Sequence, residues 1–307
     1  MNERGVSIVE LMIGTAITLA VVSAGHQLVA GTEKATNVSD QTARMQQNAR
    51  IAMELIAHDI KLAGFGMNGP VGTCNTAIVP NDQTKNDVDK GPDSVSLVAP
   101  TEVGTLASQA NGSAASISLT AGSVASVSGD GFGDGAPISI NGAAPSTVNT
   151  VAGDTLTLSA PLGPSVTFPA GAKVYWLRCI TYSIGTTTNA CAGAAPCLLR
   201  GGMAIAEGIE DLQLAYACDG CRVTPADGVI DDQGVANLNL FDTNDFVSNS
   251  TWDVTPMTPD TIRLVRVSLV ARQAQNDIQW SGTAPTQVED HNPADDQGYV
   301  QAQYAQS

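Results

Sequence analysis

Glu10 is the one charged residue between Val6 and Gly25, a run reading VSIVELMIGTAITLAVVSAG. Twenty helical residues rise about 30 Å, the thickness of a bilayer's hydrocarbon core. A carboxylate in such a segment costs about 2.5–3.5 kcal/mol at mid-helix and less near its end, so it calls for a partner or a route to the headgroups. Gly5, with Arg4 beside it, stands just before the apolar run. A secretory signal places its small-residue cleavage site after the apolar core. Cleavage at Gly5 would instead leave the whole apolar helix attached and create a new amine on Val6, four residues from Glu10. The alternative chemistry is a plain signal anchor in which Glu10 snorkels to the headgroups.

Six cysteines are the second set of reactive groups: Cys74, Cys179, Cys191, Cys197, Cys218 and Cys221, the last two forming CDGC. Their number fits export to an oxidising compartment. The pairing Cys74–Cys179, Cys191–Cys197 and Cys218–Cys221 is one of fifteen; the CxxC also has the spacing of a redox motif, or of half a zinc site with Cys191 and Cys197. A third set is acidic. Seven aspartates and no base lie between Val223 and Ile262, and Asp227, Asp231 and Asp232 are the calcium candidates in what otherwise reads as a solvated acidic loop. Asp130 to Gly135 starts like an EF-hand loop, but Phe132 and Asn141 occupy positions that require oxygen ligands and a bidentate acid.

Other chemistry is disfavoured. No GxSxG, SxxK, HExxH or P-loop pattern occurs, and the three histidines (His26, His58, His291) are far apart in sequence, so nothing favours an enzyme or a histidine-built metal centre. The formal charge is −16, and beyond residue 30 there are 28 acids against 13 bases. Such a surface repels nucleic acid.

These groups must be positioned by one long helix and a β-rich head. After the apolar run, residues 31–62 keep helical periodicity but turn polar. Met45, Ala49, Ala52, Ile56 and Ile60 share one face, widened by Ile51, Leu55 and Leu62, while Asp40, Arg44, Arg50, Glu54, Asp59 and Lys61 are left for solvent or neighbours. No proline interrupts residues 1–69, and Gly64 and Gly66 end the helix. Short alternating strands follow at Ser94–Ala99, Ile117–Leu119, Ile138–Ile140 and Leu156–Leu158, then at Lys173–Ile184, around Leu212–Tyr216 and at Arg263–Arg272. Residues 91–172 contain no Lys or Arg and are rich in Ser, Thr, Ala and Gly, which reads as a β-rich insertion in the head.

The stretch RGVSIVELMIG resembles the class III leader of type IV pilins and pseudopilins. That resemblance implies that a prepilin peptidase cuts after Gly5 and methylates Val6, and that Glu10 pairs with the N-terminal amine of a neighbouring subunit; Val6 departs from the phenylalanine usual there. Further along, RIAMELIAHDIKLAGFG, KVYWLRCITYSI, GIEDLQLAYACDG and RLVRVSLVAR look like a PilW-type minor pilin in order and spacing. The matching elements are the Ala63-Gly64-Phe65 turn, the Tyr182-Ser183-Ile184 strand and the segment Gly208-Ile209-Glu210-Asp211-Leu212. Residues 273–307 lack the Lys and Arg such tails often carry.

The expectation is an α+β, type IV pilin-like chain: leader 1–5, transmembrane or filament-core helix 6–30, amphipathic helix 31–63, and a disulfide-containing β-rich head 64–307. The resemblance implies a non-enzymatic minor pilin in the inner membrane with its head periplasmic, later part of an extracellular pilus and near its tip. Its implied partners are other minor pilins, the major pilin, prepilin peptidase, the assembly platform and a tip adhesin. A type II secretion pseudopilin and a membrane-anchored adhesin are the competing readings.

Overall fold

The computed structural model describes residues 8–81, 91–163, 165–193, 195–221 and 226–231, and beyond these residues 241, 245–248, 252, 255, 257–273, 288–289, 291 and 304–306. Its first element is a single helix, α1 (Ile8–Leu62), of 55 residues, about 80 Å long at 1.5 Å per residue. The strands follow: β1 (Ile78–Pro80), β2 (Val95–Thr105), β3 (Ala110–Asn111), β4 (Ser116–Ser118), the short helix α2 (Ser123–Ser128), β5 (Pro137–Ile140), β6 (Ala143–Ala152), β7 (Thr155–Leu158), β8 (Thr167–Phe168) and β9 (Lys173–Gly185). Then come β10 (Cys197–Arg200), β11 (Met203–Glu207), β12 (Ile209–Cys218), β13 (Ile262–Arg272) and β14 (Tyr304–Gln306).

The larger sheet runs β1-β2-β9-β5-β6-β7-β4, with β10 also pairing β9 and β11 pairing β10; β12-β13-β14 form a second sheet, and β3 pairs β8. Every pairing is antiparallel, as turn-linked strands allow without helical crossovers. The architecture is thus α+β: a long helix, antiparallel sheets and three disulfides, consistent with a pilin-like head.

Two main cores form. In the first, Met45, Ala49, Ala52 and Ile56 of α1 pack against Val95, Leu97, Tyr182, Leu198, Leu212, Leu214, Tyr216 and Leu269. In the second, residues 103–176 bury their own apolar side chains, among them Ile117, Phe132, Ile138, Ile140, Leu156, Val174 and Trp176. The long strand β9 joins them, because alternation puts Val174, Trp176 and Tyr182 on one face and that face crosses both cores. The segment 91–172 contributes to both cores. Its strand β2 delivers Val95 and Leu97 to the helix core and Val103 to the second core.

The helix ends where expected. Gly64 and Gly66 adopt φ of +77° and +76°, and the Gly64 N–H donates to Val98 O at 2.8 Å. A Cβ on Gly66 would lie 2.3 Å from Ser139 Oγ, so only glycine fits there. Phe65 then meets Tyr175 edge-on at 5.5 Å and packs over Gly142, tying the helix end to β9 and to the turn after β5.

Candidate functional site

The helix divides into two halves by burial. From Ile8 to Val29 its large apolar side chains are exposed, among them Ile8, Leu11, Met12, Ile17, Leu19, Val21 and Leu28. Among the described residues this is the one helix long and apolar enough to cross a membrane. Glu10 stands exposed on this half of the helix. Gly5 and Val6, the expected processing residues, lie outside the described residues.

The second half is seated in the head, and the seat is polar as well as apolar. Met45, Ala49, Ala52 and Ile56 are buried as their spacing implies. Asp59 is buried too, at 4% exposure, and Ile51 is 44% exposed. Both reverse the expected assignment: the apolar stripe is narrower than read, and a charged residue sits within it. The reason is a cluster formed across the fold. Tyr182 Oη donates to Asp59 Oδ2 at 2.6 Å, and Arg200 Nε donates to the same oxygen at 2.7 Å and to Tyr182 Oη at 3.1 Å. Burial and the neighbouring Asp59 push the Tyr182 phenol well above its ordinary value, against the opposing pull of Arg200. Burial works against the charge of Arg200, but its bonds to Asp59 and Tyr182 outweigh that cost and raise its value. The phenol thus stays neutral and the guanidinium charged across the physiological range, both bonded to Asp59.

Two further polar grips hold the helix. Asn48 Nδ2 donates to Glu207 O at 3.1 Å, and Gln273 Nε2 donates to Thr42 Oγ1 at 2.8 Å. Between these grips a polar cleft opens, lined by Asp40, Arg44, Asn48, Glu207, Gly208 and Arg272.

The segment Gly208–Leu212 supplies the floor of the seat. Gly208 has φ of +72°, and a Cβ there would stand 2.7 Å from Arg272 O. The buried Glu210 pairs with Arg272 at 3.1 Å. Asp211 Oδ2 meets His291 Nδ1 at 2.8 Å with both side chains buried, and Leu212 enters the helix core. His291 belongs to a strap laid on β13, where Arg266 Nε donates to Glu289 Oε1 at 2.8 Å and the Arg266 guanidinium lies 4.4 Å over the Phe246 ring. Sequence reasoning missed the Asp59 cluster and this strap. Arg200 and Tyr182 lie 141 and 123 residues from Asp59, so no local pattern pointed to either.

The remaining expected sites fall apart from the helix. The disulfides join Cys74 to Cys179, Cys191 to Cys197 and Cys218 to Cys221, so Cys191 and Cys197 do not complete a four-cysteine site with CDGC. Of the calcium candidates, Asp227 accepts the N–H of Val229 at 3.0 Å within its own turn, and Asp231 lies beside Cys218 and Cys221; Asp232 lies outside the described residues. The carboxylate that shapes this loop is Asp219, which accepts the N–H groups of Asp227 and Gly228 at 3.0 and 3.1 Å. In the second core's turns, Asp154 accepts the N–H groups of Val124 and Gly122, which hold its carboxyl below the usual value. Gly64 to Gly69 has the G-x-G-x-x-G spacing, but it follows a helix C-terminus, where the dipole repels phosphate.

The family model described as Type IV Pilus-assembly protein W matches residues 182–306. That stretch opens at Tyr182 and includes Arg200, Gly208–Leu212 and β13, the head's side of the helix seat. No curated protein and no solved structure matches the chain.

Proposed function

We propose that this chain, a member of the type IV pilus-assembly protein W family through residues 182–306, is a minor pilin held in the inner membrane and built into the filament by its N-terminal helix. The observation that carries this reading is the division of α1 into an exposed apolar half and a half locked into the head. The exposed half buries nothing within the chain, so it must be covered by lipid or by other helices. Lipid tails are as apolar as leucine, so moving the helix from membrane to filament changes little hydrophobic energy. One surface can then serve both storage and assembly.

In this reading prepilin peptidase cuts after Gly5 and methylates Val6, and the Glu10 carboxylate neutralises the terminal amine of an adjacent pilin. The locked half transmits load from the helix to the head through Asp59, Asn48 and Thr42 rather than through a hinge. The partners are other minor pilins, the major pilin and the assembly platform, with a place towards the tip beside an adhesin.

Intact mass and N-terminal sequencing of the mature chain should give a methylated Val6. Retention of Met1 in a host with active prepilin peptidase would sink the reading. Glu10→Ala should leave processing intact and reduce recovery in sheared pili, and normal incorporation would remove the pairing role. Deleting the gene should abolish piliation or twitching and spare exoprotein secretion; the reverse outcome points to a secretion pseudopilin.

A further inference from the structure

We infer that the Cys218–Cys221 disulfide, once reduced, becomes a soft-metal site completed by Asp231. The sulfurs of Cys218 and Cys221 and a carboxylate oxygen of Asp231 all lie within 4.8 Å of one another. Both cysteines are buried, at 0% and 3% exposure, while Asp231 is half-buried on the solvent side. A C-x-x-C pair with a third oxygen or nitrogen ligand is a donor set zinc accepts, with S–Zn of about 2.3 Å and O–Zn of about 2.0–2.2 Å.

The placement of Asp231 is built into the loop. Its N–H donates to Cys218 O at 2.7 Å. The buried carboxylate of Asp219 holds the preceding turn through the N–H groups of Asp227 and Gly228, and Arg263 lies 3.8 Å from that carboxylate. Gly220, at φ of +88°, lets the chain turn tightly between the cysteines, and a Cβ there would stand 3.0 Å from Ala226. Two thiolates beside a carboxylate concentrate negative charge that a divalent cation relieves. Thiolate donors select a soft or borderline ion such as Zn²⁺ over Ca²⁺.

The step balances as follows. A dithiol or phosphine reductant supplies two electrons and is itself oxidised, the Sγ–Sγ bond breaks, and each sulfur takes a proton. Cation binding then releases both protons as the thiolates coordinate, with water left in the fourth position. Oxidation and metal loading are therefore mutually exclusive states of the same two sulfurs.

The test uses the full chain in detergent, treated with a phosphine reductant and titrated with Co²⁺, then Zn²⁺. Reduced wild type should give thiolate-to-cobalt charge-transfer bands and intense tetrahedral ligand-field bands, displaced by one equivalent of Zn²⁺; the oxidised chain should give neither. Cys218→Ser with Cys221→Ser retains the other four cysteines and should lose both bands. Asp231→Asn should weaken the competed affinity about tenfold or more with its far-ultraviolet dichroism unchanged. Absence of bands in reduced wild type, bands surviving in the double serine variant, or an unchanged affinity for Asp231→Asn would each overturn the inference. Should the serine variant unfold, Zn²⁺ raising the melting temperature of reduced but not oxidised wild type supports the site, and equal shifts refute it.

Discussion

Asp59 shows how a single carboxylate can hold a helix in register. It is buried on the face that carries Ala52 and Ile56, and a buried charge is tolerated only when its partners come with it. Removing one member of such a cluster strands the others, so Asp59→Ala should cost about 3–5 kcal/mol, read from the urea midpoint of the full chain in detergent. A cost below 1 kcal/mol would mean that water replaces the carboxylate and that the cluster holds nothing. Tyr182→Phe deletes the hydroxyl that donates to Asp59 and accepts from Arg200, and should cost about 1–3 kcal/mol at neutral pH. The pH dependence adds a second readout. The folded phenol titrates above the value of about 10 it has in an unfolded chain, so its contribution is complete below that pH and is lost as pH rises through the folded value. Wild type should therefore lose stability faster than Tyr182→Phe above about pH 10, and equal slopes would exclude the effect. None of this was legible locally. Periodicity assigns an aspartate to solvent unless the fold brings it a base, and it is the β9–β10 pairing that sets Arg200 beside Tyr182 and Asp59.

At the scale of the element, α1 has two faces with different obligations. Ile56 is fully buried against the sheets, whereas Ile51, five residues earlier, is 44% exposed. Ile56→Ala should cost about 2–5 kcal/mol, the usual range for emptying a core position. Ile51→Ala should cost less than about 1 kcal/mol in the isolated chain and yet lower its recovery in sheared filaments, because in the proposed reading its partner lies on another subunit. Full incorporation of Ile51→Ala would remove that face from the interface. The helix itself was legible in the sequence, since apolar spacing and the absence of proline fix its length, and Gly64 and Gly66 fix its end. Half of the strands were legible too: alternation located β9 and β13 to within a residue or two, while β1, β3, β6, β8, β10, β11 and β14 were not read. The exposed or buried state of Ile51 was not, because a stripe of helical spacing has edges that only the packed partner defines. The continuous burial of β12, all ten residues of it, also escaped. Its polar positions Glu210 and Asp211 are buried with partners far along the chain, Arg272 and His291, which no local pattern supplies.

For the whole molecule the question is what keeps two cores acting as one body. The strands β2 and β9 pair along nearly their full length, from Val95↔Tyr182 to Thr105↔Lys173, and run through both cores. Phe65 packs the helix end against Tyr175 of β9, and Cys74–Cys179 fastens the turn after the helix to the middle of β9. That disulfide spans 105 residues, against 6 for Cys191–Cys197 and 3 for Cys218–Cys221. In the chain-entropy account a loop of roughly a hundred residues is worth about 4.7 kcal/mol and one of fifteen about 3, with shorter loops worth less. The loop that Cys74–Cys179 closes contains the entire second core, so its loss frees that core to be displaced from the helix seat. The double replacement Cys74→Ala with Cys179→Ala should therefore lower stability most, by about 4–5 kcal/mol, and should split one melting transition into two as the cores uncouple. Replacing Cys191 and Cys197 by alanine should cost less and leave a single transition. A single transition in both variants, with equal loss, would mean that β2 and β9 alone bind the two cores into one cooperative unit, and that the long disulfide adds only its local contacts.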